Sequence, residues 1–236
     1  MLRIISFSLI LIAHFQVLQA QGVHAAGAAR AVMQGTDLSV HARLDSLLIR
    51  PGLIAVGPLA DLRGEITVLD GIPFVSTVTD GEIRTSRDSL AEAPFLAYAY
   101  VEHWQHATLF ADLDGLKSMQ SLIDSVAAAA GIDTDRPFPF VVSAVWQQIN
   151  THVIMRDTAD AGHNHDAHHR AKVKFSDKDV QADLVGFYSR KHEGVFTHKG
   201  QFIHIHAVTE DRHRAGHLDD LRHSGQITIR LPKQFE

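Results

Sequence analysis

The chain has 236 residues, no cysteine and a formal charge of -5 with histidine neutral. That length supports one sizeable core, or two small lobes, without disulfides. The negative balance excludes a basic field for nucleic acid and a polybasic membrane footprint.

Taken in chain order, the N-terminus reads as an export signal, with a buried N-terminal helix as the alternative. Arg3 gives a positive start, Ile4 to Ala13 is almost wholly apolar, and the small Ala20 precedes Gln21. These are the charged, apolar and cleavage parts of a signal peptide, and the apolar run is too short to span a bilayer comfortably. Residues 1–20 are therefore expected to be removed. Leu18 is larger than the residue preferred two places before a cut, so a cut near Ala25 stays open. Residues 21–236 are expected to form a single periplasmic or secreted domain with no membrane attachment after signal removal. A division into two lobes near residue 135 also stays open.

Residues 25–50 are Ala-rich and polar, and read as helix and loop before the core begins. From Leu53 the pattern is strand-like. Glu65, Thr67 and Leu69 alternate with Ile66 and Val68, Asp70-Gly71 marks a tight turn, Pro73 to Val75 resumes an extended course, and Asp80-Gly81 marks a second turn. This is a meander. Ser118 to Ala130 reads as a helix, with Met119, Leu122, Ile123 and Val126 on one face, Asp114 as an upstream start signal and Gly131 as a stop. Phe138 to Ile154 returns to an extended, β-branched pattern. Residues 160–181 are polar and predict a loop. Leu184 to Ser189, Phe202 to Thr209 and Gln226 to Leu231 predict strands. Strands, a helix and more strands make an α+β chain.

Histidine is the unusual component, at 17 residues. The chemistry concentrates between residues 202 and 217. Side chains alternate faces along a strand, so His204 and His206 share one face while Ile203, Ile205 and Ala207 share the other. The polar, turn-prone Thr209 to Gly216 can fold the chain back and bring His217 beside that pair. Three neutral imidazoles with an open position form a common catalytic zinc arrangement, and nickel, manganese or iron also suit imidazole. Pattern alone leaves a metal site and a plain polar sheet face both open.

The remaining histidines carry less signal. His163, His165, His168 and His169 sit in a polar stretch that reads first as a solvated loop, with weak metal binding as the alternative. His192 and His198 are candidate supporting groups for the triad. Glu65, judged by pattern, is a surface strand residue, although a carboxyl near a metal can orient substrate or move a proton.

Two blocks of sequence resemble the acetolactate decarboxylase family. One is Val56-Gly57-Pro58-Leu59-Ala60-Asp61-Leu62-Arg63-Gly64-Glu65 with the following Leu69-Asp70-Gly71. The other is His204-Ile205-His206 with Thr209 to Asp211, then Gly216-His217-Leu218-Asp219. Their order and separation agree with the family over roughly residues 50–231. The resemblance implies a divalent metal, zinc as the first expectation, held by His204, His206 and His217. It implies an active-site glutamate at Glu65 and a two-lobed α+β fold, a mixed or antiparallel β-sheet unit with few helices and the metal site in a cleft.

The implied reaction is metal-dependent decarboxylation of a 2-hydroxy-3-oxo acid, 2-acetolactate giving acetoin and carbon dioxide. Departures limit the resemblance. His152, after Thr151, stands where the family carries a substrate-contacting arginine, and it lacks that residue's fixed charge and bidentate fork. Pro58 replaces a threonine, and the family's C-terminal extension is missing or cut short at Glu236. His152 is retained as a second catalytic candidate beside Glu65. The expected partner is a small-molecule acid, with no nucleic acid; homodimerisation stays open. The alternative is a non-catalytic metal-binding or ligand-sensing exported protein on the same scaffold.

Overall fold

The computed structural model describes residues 22–157, 167, 170–193, 195, 197 and 200–233. The expected signal peptide, the four histidines between His163 and His169, and His198 lie outside the described residues.

The chain opens with β1 (His24–Ala26), α1 (Ala29–Gln34), β2 (Ala42–Arg43) and α2 (Leu44–Leu47). Next come β3 (Leu53–Pro58), β4 (Glu65–Leu69), β5 (Ile72–Thr79), β6 (Glu82–Ser86), β7 (Glu92–Ala93) and β8 (Leu96–Tyr100). Apart from the short β2–β7 pair, these strands form one antiparallel sheet in the order β1-β8-β3-β4-β5-β6. Both Asp-Gly pairs make the expected hairpins. Asp70 and Gly71 have φ of 51° and 79°, and Asp80 and Gly81 have 54° and 81°. Positive φ at both positions matches the twist of two-residue hairpins, which accounts for Asp-Gly at each.

The second sheet is built from β9 (Trp104–Asp114), β10 (Phe138–Ile154), β11 (Lys172–Tyr188), β12 (Ile203–Thr209) and β13 (Ala215–Pro232), with α3 (Gly115–Ala129) between β9 and β10. Its order is β10-β11-β12-β13-β9, and β13 also pairs with β10, so the sheet curls back on itself. The architecture is α+β: mostly antiparallel sheet with few helices, as the sequence predicts.

Strand alternation divides the core. Ile203, Ile205 and Ala207 of β12 pack with Leu184 of β11 against Met119, Ile123 and Ala127 of α3. Val208, Val185 and Phe187 point the other way and meet Val56, Phe74 and Phe95 of the first sheet. The far face of the first sheet packs Ile66 and Val68 against Leu44 and Ala93. Helix α3 fits its periodicity, with Leu122 and Val126 partly buried beside that buried row. Asp114 occupies the N-cap position but makes no side-chain cap. Its N–H donates instead to Ser118 Oγ at 2.9 Å.

One segment departs from expectation. Residues 172–181, predicted as loop, are the outer half of β11, paired with β10 from Lys172 opposite Ile154 onward. Polar side chains line most of this arm, so hydrophobic patterning does not reveal it. Backbone pairing with the long β10 holds it extended. Strand β9 was likewise hidden, although Leu109, Ala111 and Leu113 alternate inward beneath α3.

Candidate metal centre

The alternation that sends Ile203 and Ile205 toward α3 sends His204 and His206 toward the first sheet. His217 enters from β13 as the direct cross-strand neighbour of His206. The three ring centroids lie 5.0 to 5.3 Å apart, and one nitrogen from each ring falls within 4.8 Å of the others. His204 and His206 are buried and His217 half-buried. Gly216 permits this approach: a Cβ there would stand 2.9 Å from the His152 carbonyl oxygen, so a side chain would push β13 off β10.

The first sheet supports this cluster from across the interface. On β4, Glu65 and Thr67 share the face opposite Ile66 and Val68, and both are buried. Thr67 Oγ1 is 2.9 Å from His206 Nδ1. Phe95 stacks on His204 with centroids 6.0 Å apart and 11° between planes. Glu65 Oε2 lies 3.8 Å from His206 Nε2, and Glu65 Oε1 accepts the Ile154 N–H at 3.3 Å. Burial pushes the Glu65 carboxyl well above the ordinary carboxylate range, against the opposing pull of the Ile154 N–H and the Lys172 charge.

His152 joins from the other side of β13. It pairs with His217 across the β10–β13 ladder, beside a register shift between Asn150 and Thr151. The two rings are 4.6 Å apart. His152 Nδ1 and Asp219 Oδ1 are 2.9 Å apart. Burial lowers the His152 pKa, outweighing the Asp219 bond and charge that raise it. Burial pushes Asp219 up, but the His152 bond and the His152, Lys172 and Lys174 charges hold its carboxyl below the ordinary range. A neutral imidazole donating from Nδ1 to a carboxylate satisfies both shifts and leaves the lone pair on Nε2.

Glu65, His152, His204 and His217 line one cleft that is open to solvent. Glu65, His152, His204, His217 and Lys172 supply its polar wall, and Val32 of α1 and Phe95 are part of its apolar wall. The donor set suits a divalent transition-metal ion. It offers three imidazoles, one of them with Nδ1 engaged by a hydroxyl, as ligand histidines commonly are.

The structure thus brings all five singled-out residues, Glu65, His152, His204, His206 and His217, to one place. Sequence reasoning missed the parts played by Thr67, Asp219 and Lys172. Thr67 was within reach, because alternation puts it on the face of Glu65. His192 contacts Ser189 Oγ through Nδ1 at 2.7 Å, at the end of β11.

The family model for alpha-acetolactate decarboxylase matches residues 23–236. Among solved structures, the alpha-acetolactate decarboxylase of Bacillus subtilis strain 168 is similar, with TM-score 0.72 and 14% identity over 89% of this chain and 85% of that one. A Staphylococcus aureus protein of unknown function, described as similar to alpha-acetolactate decarboxylase, gives TM-score 0.71 and 14% identity over 89% and 85%. Acetolactate decarboxylase from Bacillus subtilis subspecies spizizenii gives 0.69 and 15% over 89% and 86%. At these identities the likeness shows a shared fold. No curated protein matches the chain.

Proposed function

The chain belongs to the alpha-acetolactate decarboxylase family, and on that premise we propose that it is a metal-dependent carboxy-lyase acting on a 2-hydroxy-3-oxo acid such as 2-acetolactate. The products are acetoin and carbon dioxide. The observation that carries this reading is the carboxyl of Glu65, buried and 3.8 Å from an imidazole of the histidine cluster. A simple metal store has no evident need of a buried acid there.

His204, His206 and His217 would hold the ion, zinc first, with nickel, manganese and iron as alternatives. When bound, it would supply Lewis-acid chemistry toward the substrate's hydroxyl and ketone oxygens. The chain's own residues do the rest. The bond between the carboxylate carbon and C2 breaks, and the electron pair stays with C2, shared with the adjoining ketone. That pair must then receive a proton. Glu65, whose carboxyl reaches the histidine cluster, would donate it. Thr67 fixes the ring of His206, and Asp219 fixes that of His152. His152, with its lone pair on Nε2, is an acceptor for the substrate hydroxyl.

The test is turnover of racemic 2-acetolactate by the purified, metal-loaded chain, with acetoin measured. Acetoin formation that is lost on chelation supports the reading. A protein that binds one metal per chain yet forms no acetoin would be a metal-binding or sensing protein instead.

A further inference from the structure

Lys172 stands at the start of β11, opposite Ile154 of β10, and lines the same cleft. Nothing in the sequence pattern marks it. Its side chain is only 12% exposed, and Nζ lies 3.9 Å from Asp219 Oδ1. Most of the side chain is covered, an uncommon position for a lysine without a close anion. Asp219 is a loose partner: its Oδ1 already sits 2.9 Å from His152 Nδ1. Three N–H donors on the ammonium leave capacity for a second anion. Among the described residues lining the cleft, Lys172 alone has the fixed positive charge of a lysine or arginine. His152, with Nδ1 turned to Asp219, is no substitute for such a charge.

We propose that Lys172 binds the carboxylate of the acid substrate, setting the enzyme's preference for acids over neutral analogues. The proposal rests on the lyase reading in one respect, that the cargo of the cleft is a small hydroxy-oxo acid. The carboxylate is the group that leaves as carbon dioxide, so its charge drains toward C2 as the bond breaks. An ammonium bound to it therefore interacts most strongly before reaction. Lys172 governs ground-state binding and selectivity more than the chemical step.

The test compares binding of 2,3-dihydroxy-2-methylbutanoate with that of its primary amide by titration calorimetry on the zinc-loaded chain. The reduced acid has no ketone to accept the electron pair and is not turned over. The wild type is expected to prefer the acid by about tenfold or more, the worth of one charge-assisted hydrogen bond. Lys172→Met and Lys172→Gln lose that preference, and Lys172→Arg keeps it. In turnover, the neutral variants raise KM for acetolactate by about tenfold while kcat stays within about threefold. Melting curves establish that the variants are folded. Retained acid preference in either folded neutral variant overturns the proposal, as does a wild type that binds acid and amide equally. Acetoin formation with an unchanged KM in those variants overturns the proposal and leaves the lyase reading standing. Loss of acid preference in a protein that never forms acetoin does the reverse.

Discussion

Thr67 and His206 are 139 residues apart in sequence, yet Thr67 Oγ1 meets His206 Nδ1 at 2.9 Å across the interface of the two sheets. The second sheet supplies the imidazole and the first sheet fixes its orientation. With Nδ1 engaged by the hydroxyl, Nε2 is the nitrogen turned toward Glu65, 3.8 Å from its Oε2. Thr67→Val keeps the shape and removes the hydroxyl. It is expected to weaken metal affinity by roughly 10- to 100-fold, the usual cost of losing such a supporting partner. Competition against a chromogenic chelator measures this. Unchanged affinity in a folded Thr67→Val protein would mean that the contact does not orient a ligand.

The histidine cluster predicts about one divalent ion per chain, lost in His204→Ala and in His206→Ala. Glu65→Gln should behave differently. The amide keeps the size of the side chain and can still accept the Ile154 N–H, but it cannot give up a proton as an acid does. Metal content is expected to stay near one per chain, while kcat falls by about 10²- to 10⁴-fold. Elemental analysis and steady-state kinetics on the same preparation separate the two effects. If Glu65→Gln loses its metal, the carboxyl serves the ion and not the proton.

The parts of this site differed in how openly the sequence displayed them. His204 and His206 were readable as a same-face pair because alternation along a strand is strict, and the two Asp-Gly hairpins because few residue pairs suit positive φ twice over. Glu65 looked like a surface residue by pattern and gained a role only from the resemblance; its burial comes from the second sheet, which no local pattern encodes. The neighbourhood of His152 and His217 depends on β13 pairing with both β12 and β10, beside a register shift at Asn150. Such a register is a tertiary outcome. Lys172 was hidden for another reason. It opens a strand whose outer half is polar, so the stretch reads as loop, and a lysine in a loop asks for no explanation.

Away from the cleft, Asp124 of α3 ties the helix to the end of β11. It accepts from Arg190 at 2.6 and 2.7 Å and from Tyr188 at 2.8 Å. Burial pushes its carboxyl up, but the bonds from Arg190 and Tyr188 outweigh this and hold it below the ordinary range. A carboxyl with a lowered folded-state pKa adds stability above its unfolded pKa of about 3.9, and that stability fades as pH falls through the folded value. Asp124→Asn should therefore lower Tm by a few degrees near pH 6, a modest effect because the pair is partly exposed. The gap between variant and wild type should close toward pH 2. A gap that stays constant across that range would show that the loss is one of packing and not of charge.

Residues 1–20 give rise to a separate prediction. A positive start, an apolar run and a small residue before Gln21 are the features an export system reads. Protein recovered from the producing cells should begin near Gln21, or near residue 26 if the cut falls at Ala25, as N-terminal sequencing or intact mass would show. An intact Met1 on the recovered protein would count against export.

His152 tests how far the cleft works without an arginine. Its ring lies 4.6 Å from that of His217, and Asp219 holds Nδ1 at 2.9 Å. If His152 accepts the substrate hydroxyl through Nε2, His152→Ala should lower kcat/KM by about 10²-fold, within the range for one positioned polar group. Metal content should remain near one per chain, because His204, His206 and His217 are untouched. Asp219→Ala should cost less, since it frees the ring to turn without removing it, and the residual activity should then depend on how often the ring finds its working orientation. The ordering of the two variants matters more than either value. If His152→Ala keeps full activity, the imidazole is packing beside His217 and the substrate is held by other groups. If Asp219→Ala is the worse of the two, the carboxylate acts on its own account and not through His152.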